Sequence, residues 1–63
     1  MGKTFYLDTP SGDIVGVNNS TGRLGIWRSG ATTITFSSRE EAANFGAFLQ
    51  KNYGISEILV VQE

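Results

Sequence analysis

Phe36-Ser37-Ser38-Arg39-Glu40-Glu41-Ala42 is the stretch over which the hydrophobic period of the chain changes from two to 3.6, and that change decides the fold. Ser38 and Glu41 stand at capping-box spacing: the Ser38 hydroxyl can accept from the Glu41 N–H while the Glu41 carboxylate returns to the Ser38 N–H. Both Glu40 and Glu41 lie in the first turn, where the helix dipole favours negative charge. Downstream, Ala42, Phe45, Gly46, Leu49 and Tyr53 gather on one stripe at 100° per residue, with Arg39, Glu40, Asn44, Gln50 and Lys51 outside it. Gly54 followed by Ile55 fits a left-handed C-cap, so the helix is predicted from about Arg39 to Tyr53.

Working back from Phe36, turn signals recur at short intervals: Thr9-Pro10-Ser11-Gly12, Asn18-Asn19-Ser20-Thr21-Gly22 and Arg28-Ser29-Gly30. Between them, Lys3 to Leu7, Asp13 to Val17, Arg23 to Arg28 and Thr32 to Phe36 are rich in β-branched and aromatic residues, which predicts an antiparallel meander of about four strands. Pro10 suits position i+1 of a type I or II turn, and Gly12 is free to take a positive φ. Asn18-Asn19-Ser20 and Asn19-Ser20-Thr21 match the N-glycosylation pattern but read as turn chemistry. Beyond the helix, Ser56 to Gln62 carries the uninterrupted run Ile58-Leu59-Val60-Val61, which fits a strand buried on both faces. The expected architecture is a single α+β domain over residues 1–63, in the order ββββαβ, with the helix packed on one face of the sheet. The sequence leaves the strand order open.

Sixty-three residues form a small scaffold, and such scaffolds usually carry a staple. This chain has neither cysteine nor histidine, so disulfide and zinc are excluded, which leaves a well-packed core or association with another chain. An apolar content of 40% against 17% charged argues for a folded domain rather than disorder. The net charge of −1 provides no cationic field for nucleic acid or anionic lipid. No signal-peptide-like apolar stretch follows Met1, and no run approaches the ~20 residues of a membrane span, so a soluble, cytoplasmic protein without a membrane partner is expected.

Strand alternation assigns the side chains to faces. One consistent set, Phe5, Leu7, Val15, Val17, Leu24, Ile26, Ile34 and Phe36, points toward the helix stripe. The opposite face then holds Tyr6, Ile14, Gly16, Arg23, Gly25, Trp27, Thr33, Thr35 and one of the pairs Ile58/Val60 or Leu59/Val61. A lone helix covers one side of a sheet, so this second face is an apolar patch of the kind that marks an interaction site. Trp27 either lies across Gly16 or Gly25 and shields the sheet, or joins Tyr6 and Arg23 or Arg28 as an interface anchor; both roles are compatible. Phe48, about 60° off the helix stripe, is either a core-edge residue or a second exposed anchor.

Chemistry is scarce. Lack of His and Cys removes the commonest general base, the thiol nucleophile and the soft metal ligands, so no enzyme activity, catalytic residue, cofactor or metal is expected. Asp8 and Asp13 flank the first turn and read as solvated turn acids rather than a carboxylate pair or cation site. Ser37 and Ser38 have no base at triad-like spacing and are explained as caps. No phosphate-binding glycine motif occurs.

The leading expectation is a small non-enzymatic protein-interaction module, a homodimer through its sheet, whose candidate partner-binding residues are Tyr6, Ile14, Arg23, Trp27, Arg28 and Phe48. In size and composition the chain resembles the accessory inhibitors that phages and mobile elements encode against host or defence proteins, which implies an inhibitor or modulator of another protein. The alternative is a nucleic-acid-binding module stacking bases on Tyr6 and Trp27, with Arg23, Arg28 and Lys3 on phosphates. Five basic residues against six acidic ones disfavour it.

Overall fold

In the computed structural model, which describes residues 2–63, the chain forms β1 (Phe5–Asp8), β2 (Ile14–Asn18), β3 (Leu24–Trp27), β4 (Ala31–Thr33), α1 (Arg39–Tyr53) and β5 (Leu59–Gln62). This is the α+β fold in the order ββββαβ that the change of period implies. The helix begins at an extended Ser38 (φ −140°, ψ 151°) and ends at Gly54 in the left-handed region (φ 66°, ψ 30°). Ser38 Oγ accepts from the Glu41 N–H at 3.1 Å, as the capping spacing requires. The return half differs: Glu41 Oε1 accepts from the hydroxyls of Ser37 (3.1 Å) and Ser38 (3.4 Å) instead of the Ser38 N–H. Ser37, one residue upstream, offers the carboxylate a hydroxyl donor that the pair spacing alone leaves out of account.

β1 and β2 are joined by a turn in which the Gly12 N–H donates to the Thr9 carbonyl (2.9 Å) and Gly12 takes φ 80°. β2 and β3 are joined by an Asx turn: Asn18 Oδ1 accepts from the N–H groups of Ser20 and Thr21, both at 2.9 Å. The antiparallel sheet has the order β3-β2-β1-β5, with β4 attached to β2. β4 does not continue outward past β3. Gly16 and Val17 pair with Gly25 and Leu24 on one edge of β2 and with Thr33 and Thr32 on the other, so Arg28-Ser29-Gly30 carries the chain across β2. Further on, Phe36 bridges to Phe5 through two backbone bonds of 2.9 and 2.8 Å. Residues 31–36 thus fill the fork that opens between β1 and β2 beyond their registered pair Asp8 and Ile14.

Gly16 permits this insertion. A Cβ at that position would run into the carbonyl oxygen of Thr32 and stand 2.9 Å from the Thr33 Cα, so β4 leans over β2 where only a hydrogen can fit.

The core consists of Phe5, Leu7, Val15, Ala42 and Leu49, with Ile26, Phe36, Phe45, Ile58 and Val60 packed against it. Three residues assigned to the helix side by alternation lie outside that cluster: Leu24 is 43% exposed, and Val17 and Ile34 are half-buried. The reason is the position of the helix, whose closest strand neighbours are β1 and β5, so the far ends of β2 and β3 extend past its cover. β5 also departs from expectation. It is an edge strand covered on one face only, with Ile58 and Val60 against the core and Leu59 left 42% exposed.

Gly46 is buried on the core side of α1, and a Cβ there would meet Ile58 Cγ2 at 3.5 Å and Leu7 Cδ2 at 3.6 Å, ordinary contact distances. Gly46→Ala therefore gains helix propensity without a clash, and a stabilisation of about 0.5–1 kcal/mol is expected in urea denaturation. A destabilised variant would show that the helix cannot accept a methyl at this contact.

Candidate interaction surface

The register of the sheet composes the face turned away from the helix. Leu59 stands opposite Asp8, Asp8 opposite Ile14 and Ile14 opposite Trp27, one row crossing all four strands of the main sheet order. Tyr6 opposite Val61 begins the next row in the same direction as Gly16 opposite Gly25. Of the two aliphatic pairs in the run 58–61, Leu59 and Val61 therefore belong to this face and Ile58 and Val60 to the core. Tyr6, Ile14, Trp27 and Val61 are half-buried and Leu59 is exposed. Only Asp8 interrupts the apolar row, and its Oδ1 accepts from the Thr9 N–H at 2.9 Å.

Trp27 is held on this face by its neighbours. Its Nε1–H donates to the Gly16 carbonyl at 3.1 Å, and its six-membered ring passes 3.4 Å from the place a Gly25 Cβ would occupy. It shields the glycine pair of β2 and β3 while its remaining surface stays open. Tyr53 approaches the same strand from the helix layer: its hydroxyl donates to the Leu24 carbonyl at 3.3 Å and would stand 3.1 Å from a Gly25 Cβ. Tyr53, half exposed at 51%, wraps around the outer edge of β3 rather than completing the helix stripe. Together Arg23, Leu24, Gly25, Ile26, Trp27 and Tyr53 line a groove along that edge.

No protein-family model, no curated protein and no solved structure matches this chain.

The six candidate partner-binding residues fall in three places. Tyr6, Ile14 and Trp27 share the open face. Arg23 and Arg28 are exposed at the two ends of β3, flanking its edge groove. Phe48 is 55% exposed on the helix layer, stacked on Phe45 at 5.8 Å, which in turn packs against Phe36 at 5.6 Å. Phe36, Phe45 and Phe48 with Glu41 and Asn44 line a second apolar groove, separated from the open face by the thickness of the sheet. Sequence alternation could not choose between the two aliphatic pairs of residues 58–61, because an unbroken apolar run has no period; the register to β1 makes the choice. Tyr53 was readable only as a member of the helix stripe, since a side chain reaching around a strand edge leaves no signal in periodicity.

The carboxylates serve the first turn. Asp13 accepts from the hydroxyl of the buried Thr9 (3.4 Å), whose Oγ accepts in turn from the Asp13 N–H (3.0 Å). Among the described residues no three His, Cys, Asp or Glu side chains come together as metal ligands would, and no helix is long and apolar enough to cross a membrane.

Proposed function

We propose that this chain is a small non-enzymatic binding module that inhibits or modulates another protein by docking the sheet face of Tyr6, Ile14, Trp27, Leu59 and Val61 against it. The observation that carries this reading is the row Leu59, Asp8, Ile14, Trp27: three apolar side chains cross the sheet in register with one carboxylate between them, on the face turned away from the helix, where Leu59 is exposed and Ile14 and Trp27 are only half-buried. Aromatic and aliphatic residues in such a row supply buried area on docking, and the tethered Trp27 ring loses little freedom when it is covered. Asp8 asks the partner for a hydrogen-bond donor at the centre of an otherwise apolar contact.

The test is capture of the partner from native cell extract, compared across variants of two surfaces. Tyr6→Ser and Leu59→Lys change the open face, and each is expected to weaken capture about 30-fold or more, as an interface anchor worth about 2 kcal/mol would. Phe48→Ser, on the other layer, is expected to leave capture intact. Capture that ignores both open-face variants but fails with Phe48→Ser would overturn this assignment in favour of the helix groove.

A further inference from the structure

The two outer edges of the sheet match each other. In the order β3-β2-β1-β5 every neighbouring pair is antiparallel, so β3 and β5 run in opposite directions. A second copy set beside the first in the same orientation therefore brings its β3 antiparallel to the first copy's β5, with both helices on the same side.

Hydrogen-bonding phase agrees with this placement. The Asn18 N–H donates to the Arg23 carbonyl at 2.8 Å, which by antiparallel alternation turns the N–H and C=O groups of Leu24 and Ile26 outward. On the other edge the Glu63 N–H donates to the Thr4 carbonyl at 2.9 Å, which turns those of Val60 and Gln62 outward. Pairing Ile26 with Val60 and Leu24 with Gln62 satisfies both sets at once. The faces then agree as well: Ile26 and Val60 both belong to the helix side, while Trp27 meets Leu59 and Gly25 meets Val61 on the open face. Charge follows the same register, since Arg23 falls opposite Glu63, and Arg28 and Glu57 come to the other end.

We infer that copies of this chain associate head to tail, the β5 edge of one adding to the β3 edge of the next to extend the antiparallel sheet. The charge pattern selects this pairing over a symmetric one, because the longest β5-to-β5 alignment, centred on Val60, sets Glu57 against Glu63 twice. One device opposes it: the Tyr53 hydroxyl occupies the Leu24 carbonyl, which must be released to the incoming Gln62 N–H. Its bond, at 3.3 Å from a side chain 51% exposed, is a weak guard. The contact is heterologous, so it does not close at two copies but grows until a ring closes or continues as a filament. It uses the two sheet edges and shares Trp27, Leu59 and Val61 with the face assigned above to a foreign partner; Tyr6→Ser, on the interior strand β1, changes that face alone, so the two readings fail separately.

Sedimentation of the purified chain over a range of concentrations tests it. The average mass is expected to rise with concentration past that of a dimer. Arg23→Glu is expected to raise the half-association concentration about 5-fold or more by placing two acids together, and the double variant R23E/E63R to restore it. Tyr53→Phe, which removes the guard without removing the ring, is expected to lower it. A strict monomer at every concentration, a dimer that grows no further, or a double variant that fails to recover association would each overturn the inference.

Discussion

Gly16→Ala is expected to destabilise the domain by at least about 3 kcal/mol, the upper end of what overpacking costs, because the obstacle is backbone. A side chain in the way can change rotamer, but the Thr32 carbonyl and the Thr33 Cα are held in the ladder that joins β4 to β2. The methyl can be accommodated only if β4 lifts from β2. That movement would break the bond from the Ile34 N–H to the Val15 carbonyl (3.2 Å) and strain the bridge of Phe36 to Phe5. Loss of hydrogen-exchange protection at the Ile34 amide should therefore precede global unfolding. A variant within about 0.5 kcal/mol of the parent in urea denaturation would show that β4 does not lean on β2 as described. The contrast with Gly46→Ala is instructive: the same added methyl is expected to help where it meets side chains at 3.5 Å and to harm where it meets a peptide group.

Leu49→Ala is the second large effect. Leu49 is 1% exposed and belongs to the core with Phe5, Leu7, Val15 and Ala42. Truncating a buried leucine costs about 2–5 kcal/mol through lost transfer energy and the cavity left behind. A domain of this length has a total stability of roughly 3–9 kcal/mol, and a chain without cysteine has no disulfide behind it. Leu49→Ala is thus expected to leave a substantial unfolded fraction at 25 °C, measurable by far-ultraviolet circular dichroism. Trp27 gives a second probe, since loss of the sheet releases its indole from the Gly16 carbonyl and Gly25. A variant that keeps a cooperative transition at the parent's midpoint would place the core elsewhere.

Local chemistry was legible wherever one residue and its near neighbours decide the outcome. Ser38, Glu41 and Gly54 bound the helix in the sequence as they do in the structure, because caps act over three or four residues. Gly12 and Gly22 mark turns and take φ values of 80° and 72°, and Asn18 closes its turn through bonds of its own side chain. Alternation also places Tyr6, Ile14 and Trp27 on one face, and the cross-strand pairs keep them there.

What tertiary structure decided depends on partners distant in sequence. That β4 returns to β2, that α1 covers β1 and β5 but leaves Leu24 exposed, and that Tyr53 reaches the edge of β3 each join residues from separate elements. Hydrophobic period reports which side of its own strand or helix a residue occupies, and carries no information about which strand lies beside it. The sequence by itself determined the elements, their order and an apolar face in excess of what one helix covers. Only the folded arrangement decided that Leu59 and Val61 complete that face, and that Gly16, which reads as an ordinary strand glycine, is the point where β4 crosses onto β2. The physical reason is that a missing Cβ has consequences only where another backbone comes close enough to need the space.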